Sequence, residues 1–174
     1  FTIKVEKKES KFTINIDPIK VLLHSFLLEE KTTLIEYATF YGAIQIFKYL
    51  KINEVDITPS IFLYAIHSNN PEMIYILEEN SITPKSNFQE CLIESIKCHH
   101  NEITNYLIDN YYDNRIDDTF IDKCYIEFYN FDRIPENFNY KDNVFDLIQF
   151  GCSYIIKILL ENGEINGLTP IIIK

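Results

Sequence analysis

Thr33-Leu-Ile-Glu-Tyr-Ala-Thr-Phe-Tyr-Gly-Ala-Ile-Gln-Ile-Phe-Lys-Tyr-Leu50 decides the fold, because three later segments fall into register with it: Ser60–Leu77, Glu90–Leu107 and Asp142–Leu159. Each reads as a short first helix that stops near Gly42, Asn69, His99 or Gly151. Gly and Asn suit such a stop, since a helix C-terminus often needs a residue with positive φ. A second helix follows in each, marked by Ile46, Phe47 and Leu50; Met73, Ile74 and Leu77; Ile103 and Leu107; Ile155, Ile156 and Leu159. The four leucines hold one register position and are expected to be buried. The sixth position is small in three units (Ala38, Ala65, Ser95), which lets neighbouring helices approach closely; Leu147 departs from the pattern. A helix pair that cannot bury its apolar face alone must stack on its neighbours.

Outward from these units, residues 1–16 alternate apolar and polar (Ile3, Val5, then Phe12, Ile14, Ile16) around the polar Glu6–Ser10, which predicts a small β-hairpin. Lys7, Lys8 and Lys11 fall at its solvated tip. Residues 17–31 read as a capping helix: Asp17-Pro18 supplies an N-cap with proline at the first helical position, and Ile19, Leu22, Leu23, Phe26 and Leu27 share a face. Residues 32–110 hold three helix pairs. The units begin at 33, 60, 90 and 142, so the last interval is too long for one unit. Residues 111–141 fill it as a degenerate or inserted helical unit, with Phe120, Cys124 and Phe128 stacked on one face. Residues 142–174 hold the fourth unit and the opening of a further one at Gly167–Ile173, which implies that the array continues.

Composition narrows the function. With 16 Lys+Arg against 26 Asp+Glu the chain carries a net charge of −10, and Arg115 and Arg133 are its two arginines. Phosphate recognition needs a basic stripe, so neither nucleic acid nor an anionic membrane is an expected partner. No apolar run approaches the ~20 residues of a membrane span, and the charged start lacks the apolar core of a signal peptide. Cys91, Cys98, Cys124 and Cys152 are too few and scattered for a disulfide scaffold, which points to free thiols and a cytoplasmic setting. The 30 Ile against 3 Ala suggest A/T-rich codons, with Ile in helix positions where Leu or Ala is usual, so periodicity outranks propensity as a guide.

The pattern Thr33…Ala38…Gly42…Ile46-Phe47…Tyr49-Leu50 resembles the ankyrin repeat. Ile155-Ile-Lys-Ile-Leu-Leu-Glu-Asn-Gly163, followed by Leu168-Thr-Pro-Ile-Ile172, resembles that family's second helix, terminal glycine and next Thr-Pro-Leu-His turn, with Ile171-Ile172 where Leu-His would stand. The stretch from Asp17 to Asn110 is similar to an uncharacterised domain that precedes ankyrin repeats in large protist protein families. The phrases that carry this likeness are Leu27–Ala38, Tyr64-Ala-Ile-His67 and Glu94-Ser-Ile-Lys-Cys-His-His100. The resemblance implies an all-α, ankyrin-like helical repeat solenoid behind the N-terminal hairpin. It also implies a non-enzymatic protein–protein interaction scaffold, without cofactors, that binds a protein partner through its concave face. In an ankyrin-like unit the residues just before the helix stop face that surface, and they nominate Phe40 and Tyr41, His67, Lys97, and Gln149 and Phe150, joined by Tyr37 and Tyr64. Two departures stand out. Intervals of 27 and 30 fall short of the usual ~33, and the Thr-Pro-Leu-His turn is missing from the units starting at Ser60, Glu90 and Asp142.

Two rival functions remain: a permanent architectural part of a larger assembly, and an enzyme built on Cys98-His99-His100. Against the second, adjacent helical residues point about 100° apart, so these three cannot converge on one metal ion. Cys91 lies two turns before Cys98, too far to share ligation. A Cys–His nucleophile pair would need a third, orienting group, and the sequence offers none nearby. The acidic pairs Glu29-Glu30, Glu78-Glu79 and Asp117-Asp118 sit at helix ends, and the four glycines are spread singly, so no phosphate-cradling loop exists. No catalytic, cofactor or metal residues are therefore nominated.

Overall fold

The computed structural model describes residues 32–84, 88–111 and 118–165. The regular elements among them are helices: α1 (Leu34–Phe40), α2 (Ile44–Ile52), α3 (Ile61–His67), α4 (Pro71–Glu79), α5 (Phe88–Lys97), α6 (Asn101–Tyr111), α7 (Asp118–Glu127), α8 (Val144–Gln149) and α9 (Ser153–Glu161), with a 3-10 turn at Phe131–Arg133. The chain is thus all-α over these residues. The expected hairpin at 1–16, capping helix at 17–31 and C-terminal Gly167–Ile173 segment lie outside them. No described helix is long and apolar enough to cross a membrane. The chain divides into two compact units, Phe1–Tyr112 and Asp113–Lys174.

In the first unit the helices pair as α1/α2, α3/α4 and α5/α6, and the first helices α1, α3 and α5 pack side by side. Capping chemistry sets where they begin. Thr33 and Glu36 form a reciprocal box at the start of α1, where the Thr33 N–H donates to Glu36 Oε2 at 2.8 Å and Glu36 N–H donates to Thr33 Oγ1 at 3.4 Å. The second carboxylate oxygen of buried Glu36 accepts from the Thr58 hydroxyl, so the cap of α1 also anchors the turn that opens α3. That turn is Thr58-Pro59. A Thr-Pro pair thus stands just ahead of the unit starting at Ser60, outside the aligned segment. Asn70 caps α4 by accepting from Glu72 N–H at 3.1 Å, with Pro71 at the first helical position.

The stops are uniform. Gly42, Asn69, His99 and Gly151 all have positive φ (+62°, +49°, +57° and +72°), as the register predicts. Three of these turns close with a bond from the residue beyond the stop to the sixth-position carbonyl: Ala43 to Ala38 (2.8 Å), His100 to Ser95 (2.9 Å) and Cys152 to Leu147 (2.8 Å). Second helices end the same way at Glu54, Ser81 and Gly163, with bonds from Val55 to Leu50, Ile82 to Leu77 and Glu164 to Leu159. Leu50, Leu77, Leu107 and Leu159 are all buried, and so are Ala38, Ala65 and Ser95.

The second unit has its own core, built from Ile126, Val144, Leu147, Cys152, Ile156 and Leu159. Here α7 corrects the sequence reading. Its buried face is Ile121, Cys124, Tyr125 and Ile126, while Phe120 and Phe128 are half-buried. The helix ends at Glu127, so Phe128 already lies in a turn stopped by Tyr129 at φ +57°.

Candidate functional site

The stacking of α1, α3 and α5 lines up the ends of the three first helices, and a continuous run of side chains crosses them. Tyr37 on α1 and Tyr41, which caps its C-terminal end, sit one turn apart with ring centroids 4.8 Å apart, and Tyr41 meets the edge of Phe40 at 5.0 Å. Phe40 packs with Tyr64 of α3 in a small buried cluster that Tyr37 partly covers. Phe40 also stacks on the His67 ring, at 4.1 Å and 15° between planes. From His67 the run passes to α5 through Glu94, Lys97 and Cys98.

Six of the eight nominated residues (Tyr37, Phe40, Tyr41, Tyr64, His67 and Lys97) thus share one region of the first unit. Their exposure differs from the expectation of a surface lining. Phe40 and Tyr64 are buried and form a floor, whereas Tyr41 is 54% exposed and stands above it. Burial, followed by a hydrogen bond with Tyr37, raises the Tyr41 hydroxyl pKa. Gln149 and Phe150 belong to the second unit, where Gln149 is exposed and Phe150 packs against that unit's core. The Phe150 carbonyl accepts from the Tyr129 hydroxyl at 2.5 Å.

The polar end of the run is tighter. His67 Nδ1 lies 3.2 Å from Glu94 Oε1, and Cys98 Sγ lies 3.4 Å from each of these two atoms. Lys97 Nζ donates to the other carboxylate oxygen, Glu94 Oε2, at 3.2 Å. His100 Nε2 approaches the His67 carbonyl at 3.4 Å. Burial alone would raise the Glu94 carboxyl pKa. The hydrogen bonds from His67, Lys97 and Cys98, with the Lys97 charge, outweigh that and hold it below the usual carboxylate range. Burial and the neighbouring Glu94 push the Cys98 thiol up to about 12, and burial lowers the imidazole pKa of His100. Cys98 and Glu94 meet the same ring nitrogen. A Cys–His–carboxylate relay needs them on opposite nitrogens, so this is not the geometry of an activated nucleophile.

Cys98, His99 and His100 diverge, as adjacency requires: Cys98 turns to His67 and Glu94, His100 turns to the His67 backbone, and His99 occupies the exposed helix stop. The residue that sequence reasoning missed is Glu94. It occupies the register position held by Tyr37 and Tyr64 in the preceding units, and a carboxylate replacing an aromatic there was the available signal. Compared with known protein families, curated proteins and solved structures, the chain matches none.

Proposed function

We propose that the chain is a protein-interaction module of ankyrin-like, helical-repeat type, which holds a basic protein segment against the first-helix face of its N-terminal unit. The observation that carries this reading is the ring ladder from Tyr41 through Phe40 to His67, spanning successive repeats with its floor buried and its upper ring exposed. Rigid aromatic groups over a packed floor are the usual anchors of protein interfaces. The net charge of −10 favours a basic occupant. The eight-residue set narrows accordingly to Tyr37, Tyr41, His67 and Lys97, with Phe40 and Tyr64 beneath them.

The test begins with native co-purification and identification of the bound protein, followed by titration of that partner against the wild-type chain and Tyr41→Ala. The substitution is expected to weaken binding by at least ~1 kcal/mol, with the thermal midpoint unchanged and with affinity falling as salt is added. Equal affinity for both chains overturns the proposal. A large loss of stability in Tyr41→Ala would instead make the ladder part of the core.

A further inference from the structure

We propose that His67, Glu94 and Cys98 form a binding site for a divalent transition-metal cation of the zinc type, set between two successive repeats. The geometry carries it. A tetrahedral ion with bonds of about 2.0–2.3 Å holds its ligand atoms roughly 3.3–3.7 Å apart. The three separations here are 3.2 Å (Nδ1 to Oε1), 3.4 Å (Sγ to Nδ1) and 3.4 Å (Sγ to Oε1). One imidazole nitrogen, one carboxylate oxygen and one sulfur converge as the corners of a single face, and among the described residues this is the group placed to hold a metal ion. Imidazole and thiolate together select borderline-soft ions over magnesium or calcium.

The surroundings orient each ligand. Glu94 lies in the last turn of α5 and Cys98 just beyond it, with the Cys98 N–H still donating to the Glu94 carbonyl at 3.0 Å, which keeps the two side chains on one side. Lys97 occupies Glu94 Oε2 and leaves Oε1 directed at the other two atoms. Stacking on Phe40 fixes the plane of the His67 ring. Supporting contacts of this kind preset a metal site. One thiolate and one carboxylate offset the charge of a divalent ion, and the Lys97 ammonium on Glu94 Oε2 stays outside the ligand set. Without an ion, hydrogen bonds hold the three atoms together. On binding, the thiol proton is released to solvent, while the imidazole stays neutral with its single proton on Nε2 and Nδ1 free for the ion, so affinity rises with pH. Three protein ligands leave a fourth corner for water. The site borders the proposed partner face and shares His67 and Lys97 with it, but the cation needs neither Tyr41 nor a bound segment, so the two proposals fail separately.

The experiment titrates the full, reduced, chelator-stripped chain with Co²⁺. The expected result is a thiolate-to-cobalt charge-transfer absorption that saturates at one ion per chain and is displaced by Zn²⁺, with a zinc-dependent rise in thermal midpoint. Cys98→Ser should abolish the band and the zinc shift, and His67→Ala should weaken binding at least tenfold. His99→Ala, one residue away, should bind as the wild type does. Should Cys98→Ser fail to fold, the chain carrying Cys91→Ala, Cys124→Ala and Cys152→Ala together must keep the band, since Cys98 is then its only thiol. Absence of the band in wild-type protein under excess Co²⁺, or its survival in folded Cys98→Ser, overturns the proposal.

Discussion

Gly42 and Gly163 stop helices at nearly the same left-handed φ, +62° and +68°, yet their surroundings differ. A Cβ at Gly42 would lie 3.1 Å from Asn70 Nδ2, whereas one at Gly163 would meet nothing within 4 Å. Asn70 is not free to move: its amide donates to the Gly42 carbonyl at 3.4 Å while its oxygen caps α4. Gly163→Ala is therefore expected to cost about 1 kcal/mol, from the left-handed conformation alone. Gly42→Ala should cost about 2 kcal/mol or more, since the cap is disturbed as well. Denaturant midpoints of the two variants check this, and equal losses would mean that Asn70 yields freely. The stops at Gly42, Asn69, His99 and Gly151 were legible from register. Those at Glu54, Ser81 and Tyr129 were not, because nothing in those side chains favours a positive φ.

Among elements, α4 shows which contacts matter most for stability. Leu77 is fully buried, and its neighbour Glu78 accepts hydrogen bonds from Tyr106 (2.8 Å) and Tyr111 (2.6 Å) of α6. Leu77→Ala should destabilise the chain by roughly 2–5 kcal/mol, through lost transfer energy and the cavity left behind. Glu78→Ala breaks more visible bonds, but in partly solvated surroundings, and should cost about 1 kcal/mol. Equilibrium unfolding of both variants measures the contrast; a loss at Glu78 equal to that at Leu77 would reverse the ranking. Helix pairs were readable here because apolar periodicity survives biased composition. The face of α7 was misread because the pattern continued through Phe128 although the helix ends one residue earlier. The turn at Thr58-Pro59 escaped notice because it lies just ahead of the aligned segments, where its hydroxyl serves the preceding unit's Glu36.

For the whole molecule, charge is the property with the broadest consequence. The ion pairs Lys48–Glu72 and Lys157–Glu161, each at 3.8 Å, are exposed and contribute little. Repulsion within a chain of net charge −10 outweighs them. Moderate salt is therefore expected to raise the thermal midpoint, and a fall with added sodium chloride would show that local pairs dominate after all. The polar cluster was the least legible feature at this scale. Its three ligand atoms come from positions 27 and 31 residues apart, joined by the stacking of α3 on α5 and by no local motif. The recurring helix stop carries a different lesson, about inheritance. Its identity resides in a positive φ, closed at every stop but Asn69 by a backbone bond reaching back five residues, and Gly, Asn, His, Tyr, Glu and Ser all fill the slot. A lineage whose codons drift toward A and T can thus surrender its glycines one by one while every bend stays where it was. Descendants of such a chain would keep their shape long after the letters that once announced it had changed.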